Sequence, residues 1–271
     1  MGIKFTMVGN LSVAKDSDKH RAFEDKLTDK GGIFRSLISR GGWANCLYLS
    51  NSKWNTEILK KALWLPDKNF IESNYPRNTA VIKTLGRENE YIMLTKKYKY
   101  TILYLPTFRQ DKHEMDVAKI INNLEKMGED YLILYKLHPA SNVVVCDKKI
   151  NKLPDDFDIN VLMPFIDVLL TDYSSCASDA LYHNKKCVFY VPDLIEYTNG
   201  KNGFFDNPEK YMCGPIVNNI QDLNEIIVKC CNNESDVYFN KYKRIKELMW
   251  EHPIDVEEIW NDIYKKIEKK E

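Results

Sequence analysis

From residue 100 onward the chain alternates two kinds of segment. Short unbroken apolar runs, Tyr100–Leu105, Tyr131–Leu137, Val168–Leu170 and Cys187–Val191, have the length and composition of strands buried on both faces. Between and after them lie segments with apolar residues three and four positions apart. Met115–Met127 places Val117, Ile120, Ile121 and Leu124 on one stripe and stops near Gly128, which predicts a helix. Further helices are predicted from Ser174 or Ser175 to about His183, and over Ile220–Cys230, Tyr238–Trp250 and Ile254–Ile267. Buried strands alternating with helices predict a parallel sheet covered on both faces.

The earlier part of the chain is less regular. Ala44–Leu49 reads as a strand, and Ser52–Leu63 as an amphipathic helix with Ser50 or Ser52 as its cap. Phe70 and Ile71 form a second short strand, followed by Tyr75-Pro76-Arg77-Asn78. Residues 83–99 are polar and charged and read as a linker. Residues 1–44 carry scattered glycines and one helical run, Asp16–Thr28. There is no internal repeat.

Composition narrows the function classes. Lys+Arg and Asp+Glu balance at 39 each, which argues against a protein that wraps nucleic acid. The seven cysteines, Cys46, Cys146, Cys176, Cys187, Cys213, Cys230 and Cys231, are odd in number and form no CxxC pair. They read as free thiols of a reducing cytoplasm, not as disulfides or a zinc site. No signal peptide is evident at the N-terminus, and no stretch approaches the roughly 20 apolar residues of a membrane span. Membrane contact is therefore expected to be peripheral at most. No carboxylate cluster calls for a metal, and no cofactor is expected.

In an open α/β sheet, ligands bind beyond the carboxyl ends of the strands. The segments there are Pro106-Thr107-Phe108-Arg109, His138-Pro139, Thr171-Asp172-Tyr173-Ser174-Ser175 and Pro192-Asp193. A helix opening at Ser174 or Ser175 offers amide N–H groups, hydroxyls and a positive dipole end, which suit a phosphate. Arg109 could clamp a phosphate as a fork, and His138 could donate to one or act as acid or base. Each has a plainer alternative: Asp172 or Ser174 as an ordinary helix cap, His138 as a structural histidine, Arg109 as a solvated one. Their occurrence at strand ends sharing one rim favours a phosphate site.

Together these segments resemble a known family. ILYLPTFR (102–109), KLHP (136–139), DVLLTDYSS (167–175), VFYVPDLIEY (188–197), GFFD (203–206) and GP (214–215), with YPRN (75–78) upstream, share the order and spacing of the CDP-glycerol:poly(glycerophosphate) glycerophosphotransferases. The resemblance covers residues 70–230 well and the first 45 poorly. It implies an α/β fold of the GT-B kind: two Rossmann-like domains with parallel sheets. Here they would be a partial, acceptor-side N-terminal domain over 1–95 and a nucleotide-donor domain over 96–271, with the terminal helix crossing back. It implies that Ser174, Ser175, Arg109, Thr107 and Asp172 meet or shape the donor phosphate site. His138 would contact the pyrophosphate or assist the leaving nucleotide, Asp193 and Tyr197 would order the donor loop, and Arg77 would lie near the cleft. The partners implied are a CDP-linked polyol and a polyol-phosphate or glycan acceptor, lipid-linked, at the inner face of a bacterial membrane.

Three departures stand against that pattern. The family's early Trp-His-Gly signature is absent, and MGIKFTMVGN resembles the stretch that comes directly after such a triplet. Asn202 stands where the family has arginine, and Cys213 where it has proline. Two alternatives therefore stay open. One is a GT-B glycosyltransferase using a nucleotide-sugar. The other is a shortened relative that binds nucleotide without turnover.

Overall fold

The computed structural model describes residues 47–63, 65–79, 87–107, 117–137, 151–199, 207–234, 238–250 and 256–268. The chain divides into two units. One comprises residues 1–81, 194–208 and 245–271, and the other 82–193 and 209–244.

In the first unit, β1 (Tyr48–Ser50) leads into helix α1 (Lys53–Leu63), and β2 (Phe70–Glu72) pairs parallel to β1. Ser52 caps α1 as expected: its Oγ accepts from the Asn55 amide at 3.2 Å. Leu59, Leu65 and Phe70 pack into a small core with Tyr48 against it. A single turn, α2 (Pro76–Thr79), comes after β2. Its first residue is proline, whose missing N–H costs nothing at a helix start.

The second unit opens with a correction. The expected linker contains helix α3 (Arg87–Thr95). Two residues of the apolar run Tyr91–Leu94 anchor the helix. Ile92 is buried, and the Tyr91 ring meets Phe157 edge-on at 5.2 Å. Tertiary packing, not local propensity, decides such a segment.

Next come β3 (Tyr100–Leu105), α4 (Val117–Leu124), β4 (Tyr131–Tyr135), the short β5 (Asn151–Lys152), α5 (Ile159–Leu162) and β6 (Val168–Thr171). After them run α6 (Cys176–Tyr182), β7 (Lys186–Tyr190), α7 (Leu194–Asn199), β8 (Ile216–Val217) and α8 (Ile220–Cys231). The helix α7 is counted with the first unit. Helices α9 (Phe239–Met249) and α10 (Val256–Glu268) end the described chain.

The six strands of the second unit are all parallel, in the order β5-β4-β3-β6-β7-β8. This is the doubly wound Rossmann order, with the chain running outward from β3 to one side and then from β6 to the other. Continuous apolar strands are explained by burial on both faces: Ile102, Leu103, Leu134, Leu169, Leu170 and Val188 are all fully buried. On one face the α4 stripe of Val117, Ile120, Ile121 and Leu124 meets Leu223 and Ile227 of α8 in a single core. Each such aliphatic side chain contributes about 1.5–3 kcal/mol through burial.

Two turns show how the sequence sets its own boundaries. Just past the end of helix α6 stands Asn184, whose φ of 58° is left-handed backbone, a conformation asparagine tolerates better than most residues. Before β8, Gly214 sits so close to β7 that a Cβ there would lie 1.8 Å from the Cys187 carbonyl oxygen. Only glycine permits that approach.

Candidate functional site

The topology singles out one place on the second sheet. β3 and β6 are neighbours from which the chain departs in opposite directions, so the crevice beyond their carboxyl ends is the topological switch point where α/β sheets bind ligands. The segments leaving that point are Pro106-Thr107 from β3 and Asp172–Ser175 from β6.

They are fastened together by Asp172. This carboxylate is fully buried. It accepts from the Thr107 amide at 2.9 and 3.1 Å, from the Thr107 hydroxyl at 2.6 Å, and from the Tyr173 amide at 2.6 Å. One step back, the Thr171 hydroxyl donates to the Leu105 carbonyl at 2.6 Å. A buried carboxylate is tolerated only where donors surround it, and here donors from the ends of both strands do so.

That geometry sorts the residues expected to meet or shape the donor phosphate site. Asp172, buried and anionic, faces protein donors and acts as a brace, so its part is to shape the turn. Thr107 directs both its amide and its hydroxyl proton to Asp172, the stronger local acceptor, and belongs to the same brace.

Ser174 and Ser175 are different. Both are partly exposed. The Ser174 Oγ accepts from the Cys176 amide at 3.4 Å. Ser175 is the cap residue of α6, but its side chain makes no capping hydrogen bond. Small hydroxyl side chains thus stand at the mouth of the turn while the acidic brace lies behind it.

Asp193 is tied to the same turn: the Tyr173 hydroxyl donates to its Oδ1 at 3.1 Å. Tyr173 is itself buried, so it links the end of β6 to the start of the Pro192-Asp193 segment. Nothing in the sequence pattern signals Tyr173. Tyr197 lies in α7, partly exposed. Arg77 belongs to the first unit, in α2, with its guanidinium 4.5 Å from the Tyr75 ring centroid. Arg109, His138, Asn202 and the GFFD segment lie outside the described residues. Among the described residues no group of histidine, cysteine and carboxylate side chains is arranged to hold a metal ion. None of the described helices is long and apolar enough to cross a membrane.

The thiols behind the sheet are inert by environment. Cys187 and Cys213 are buried in hydrogen-bond contact, which together with desolvation holds the Cys187 thiol well above its ordinary range. Burial pushes Cys231 up to about 12. Neither is a poised nucleophile.

A parallel doubly wound sheet with hydroxyl-bearing residues on the turn at its switch point is the arrangement in which α/β proteins bind nucleotides. The family model for CDP-Glycerol:Poly(glycerophosphate) glycerophosphotransferase matches residues 22–254, and the chain belongs to that family. It is 29% identical over 204 residues to a teichoic acid poly(glycerol phosphate) polymerase of Bacillus spizizenii, covering 69% of this chain and 51% of the relative. It is likewise 29% identical over 186 residues to a teichoic acid glycerol-phosphate transferase of Staphylococcus aureus, covering 63% of this chain and 48% of the relative. The chain therefore spans about half the length of these curated relatives.

Among solved structures it resembles the wall teichoic acid polymerase TagF, in a histidine variant soaked with CDPG. The TM-score is 0.61 and the identity 25%, over 83% of this chain and 57% of that one. The expected fold class, α/β with parallel sheets, is the one found.

Proposed function

We propose that the chain transfers a glycerol- or ribitol-phosphate unit from a CDP-linked donor to a hydroxyl of a cell-surface polymer, releasing CMP. One observation carries this reading. At the switch point of a Rossmann-ordered sheet, Ser174 and Ser175 stand open on a turn that a buried carboxylate locks to the end of β3. The family match and the teichoic acid relatives support the choice of donor.

In this reading the diphosphate lies against the Thr171–Ser175 turn, with the hydroxyls of Ser174 and Ser175 as donors. The acceptor oxygen attacks the β-phosphorus in line. A new P–O bond forms to the acceptor as the bond to the bridging oxygen breaks, and that oxygen leaves with CMP. Little covalent work falls to the protein; holding the groups and offsetting charge supply most of the rate. Arg109 adds positive charge, and His138 contacts the pyrophosphate or assists the leaving nucleotide, as the family resemblance implies; as an imidazole it is also able to take up the acceptor's proton.

The test is donor titration and CMP release with the purified chain. CDP-glycerol or CDP-ribitol should bind and UDP-sugars should not. The double variant Ser174→Ala/Ser175→Ala should bind donor at least ~10-fold more weakly, about 1.4 kcal/mol or more, with an unchanged Tm. Unchanged donor affinity would remove the phosphate from this turn. Binding without CMP release would favour a nucleotide-binding relative without turnover.

The proposal places the chain in the cytoplasm, at the inner face of the membrane, with a lipid-linked acceptor. An exposed stripe on α10 supports peripheral contact. Trp260, Tyr264 and Ile267 recur at four- and three-residue spacing and are 54%, 60% and 49% exposed, the pattern of a helix lying at an interface. Co-sedimentation with anionic vesicles should fall in Trp260→Ser/Tyr264→Ser; equal sedimentation would remove the helix from the membrane surface.

A further inference from the structure

Strand β6 lies between β3 and β7 in the sheet, and two successive residues tie the turn that leaves it to both neighbours. Asp172 reaches to one side: it accepts from Thr107, just beyond the end of β3. Tyr173 reaches to the other: its hydroxyl donates at 3.1 Å to Oδ1 of Asp193, just beyond the end of β7. Tyr173 is held at both of its own ends, since its amide donates to Asp172 at 2.6 Å.

The two serines that come next are tied far less. Among the described residues, the Ser174 Oγ takes the Cys176 amide at a long 3.4 Å, and the Ser175 side chain makes no capping hydrogen bond. Their pose is therefore inherited from residue 173.

Packing alone does not call for the Tyr173 hydroxyl. The residue is 2% exposed, and a phenylalanine ring would fill the same space. A buried phenol needs a partner, and here the partner is a carboxylate, which gives the stronger, charge-assisted kind of bond. Asp193 is partly exposed, so water can replace the phenol at its carboxylate, and losing the bond should change stability little. What the bond fixes is position. Asp193 is the last residue of the second unit's first segment and stands directly before α7. The bond thus joins the serine-bearing turn to the point where the chain leaves the sheet.

We propose that Tyr173 is a positioning residue for donor binding, which sets the pose of Ser174 and Ser175 through its hydroxyl bond to Asp193. The proposal rests on the reading that those serines meet the donor diphosphate. With Asp172 alone, the turn is held on the β3 side and unsupported on the β7 side. With both, the serine hydroxyls are set before the donor arrives, and less ordering is lost on binding.

The test uses the full chain, calorimetric titration with CDP-glycerol, and amide hydrogen exchange without ligand. Tyr173→Phe and Asp193→Ala should each weaken CDP-glycerol binding about fivefold with Tm near wild type. Asp193→Asn keeps an oxygen that accepts from the phenol, and should stay within about twofold of wild type. In the Ser174→Ala/Ser175→Ala background, Tyr173→Phe should cost less than about twofold more, because residues acting through one another are not additive. The Cys176 amide should exchange about threefold faster in Tyr173→Phe and Asp193→Ala, and at the wild-type rate in Asp193→Asn. Wild-type donor affinity in Tyr173→Phe overturns the proposal. So does a full further fivefold loss in the serine-free background, which would mean that Tyr173 acts elsewhere. If CDP-glycerol does not bind the wild-type chain, the donor reading falls, and exchange decides by itself. Faster exchange restored by Asp193→Asn then upholds Tyr173 as the residue that sets the turn, and unchanged exchange overturns it.

Discussion

The two strand-end rims use polar residues in opposite ways. In the second unit the rim is organised by charge. One buried carboxylate, Asp172, collects protons from Thr107 and Tyr173, and the residues left facing outward are Ser174 and Ser175. In the first unit the rim beyond β1 and β2 contains buried amides and hydroxyls, among them Ser50, Ser52, Ser73 and Asn74, with Arg77 as a cation on the side. A buried charge must be saturated by donors, so it makes a stiff brace. A neutral hydroxyl left without a partner costs less than an unpaired charge, so the rim of the first unit tolerates Ser73 Oγ making no hydrogen bond to any described residue. The charged arrangement holds the turn after β6 in one pose against the end of β3.

The largest effect should come from breaking the charged brace. In Asp172→Asn the side chain keeps one acceptor oxygen and turns an NH2 group toward amides that are themselves donors. With at least one buried donor left facing another, the unfolding free energy should fall by about 3 kcal/mol, read from urea denaturation. Donor affinity should fall with it, since Ser174 and Ser175 lose their fixed support. A variant as stable as wild type would mean that the carboxylate does not hold the two strand ends together, and the contrast between the rims would fail on that side.

How far all this is legible in the sequence depends on where the signal lives. Tyr100–Leu105 is readable to the residue because an unbroken apolar run has few other fates. Ser52 is readable as a cap because capping is local. Helix α3 is not, since its apolar residues Tyr91–Leu94 stand in a row and make no helical stripe, and the contact of Tyr91 with Phe157 lies far along the chain. Strand β5 is two polar residues whose only strand character is backbone pairing to Leu134 and Tyr135. The candidate site divides in the same way. Its place on the chain is visible as a run of small polar residues after a strand. The inward turn of Asp172 is not, because its partner Thr107 is distant in sequence, and a cap and a brace share one residue type. The first-unit rim is hidden for a related reason: serine and asparagine after a strand read as an exposed turn, and only coordinates reveal that they are buried.

The smallest predicted effect tests whether the neutral rim is built or incidental. Asn55 is buried, and its Nδ2 donates to the Tyr75 hydroxyl. Asn55→Ala removes one neutral hydrogen bond and should cost about 1 kcal/mol of stability, well short of the loss at Asp172. If the rim were merely a place where polar residues pack, the effect would end there. If Tyr75 is the platform on which Arg77 rests, loosening its hydroxyl end lets the ring and the stacked guanidinium move together. The T-shaped contact of Tyr75 with Trp250 should then loosen, read as a small change in tryptophan fluorescence. CDP-glycerol affinity should stay at the wild-type value. A stability loss with unaltered tryptophan fluorescence would mean that the Asn55 hydrogen bond does not set the position of the Tyr75 ring.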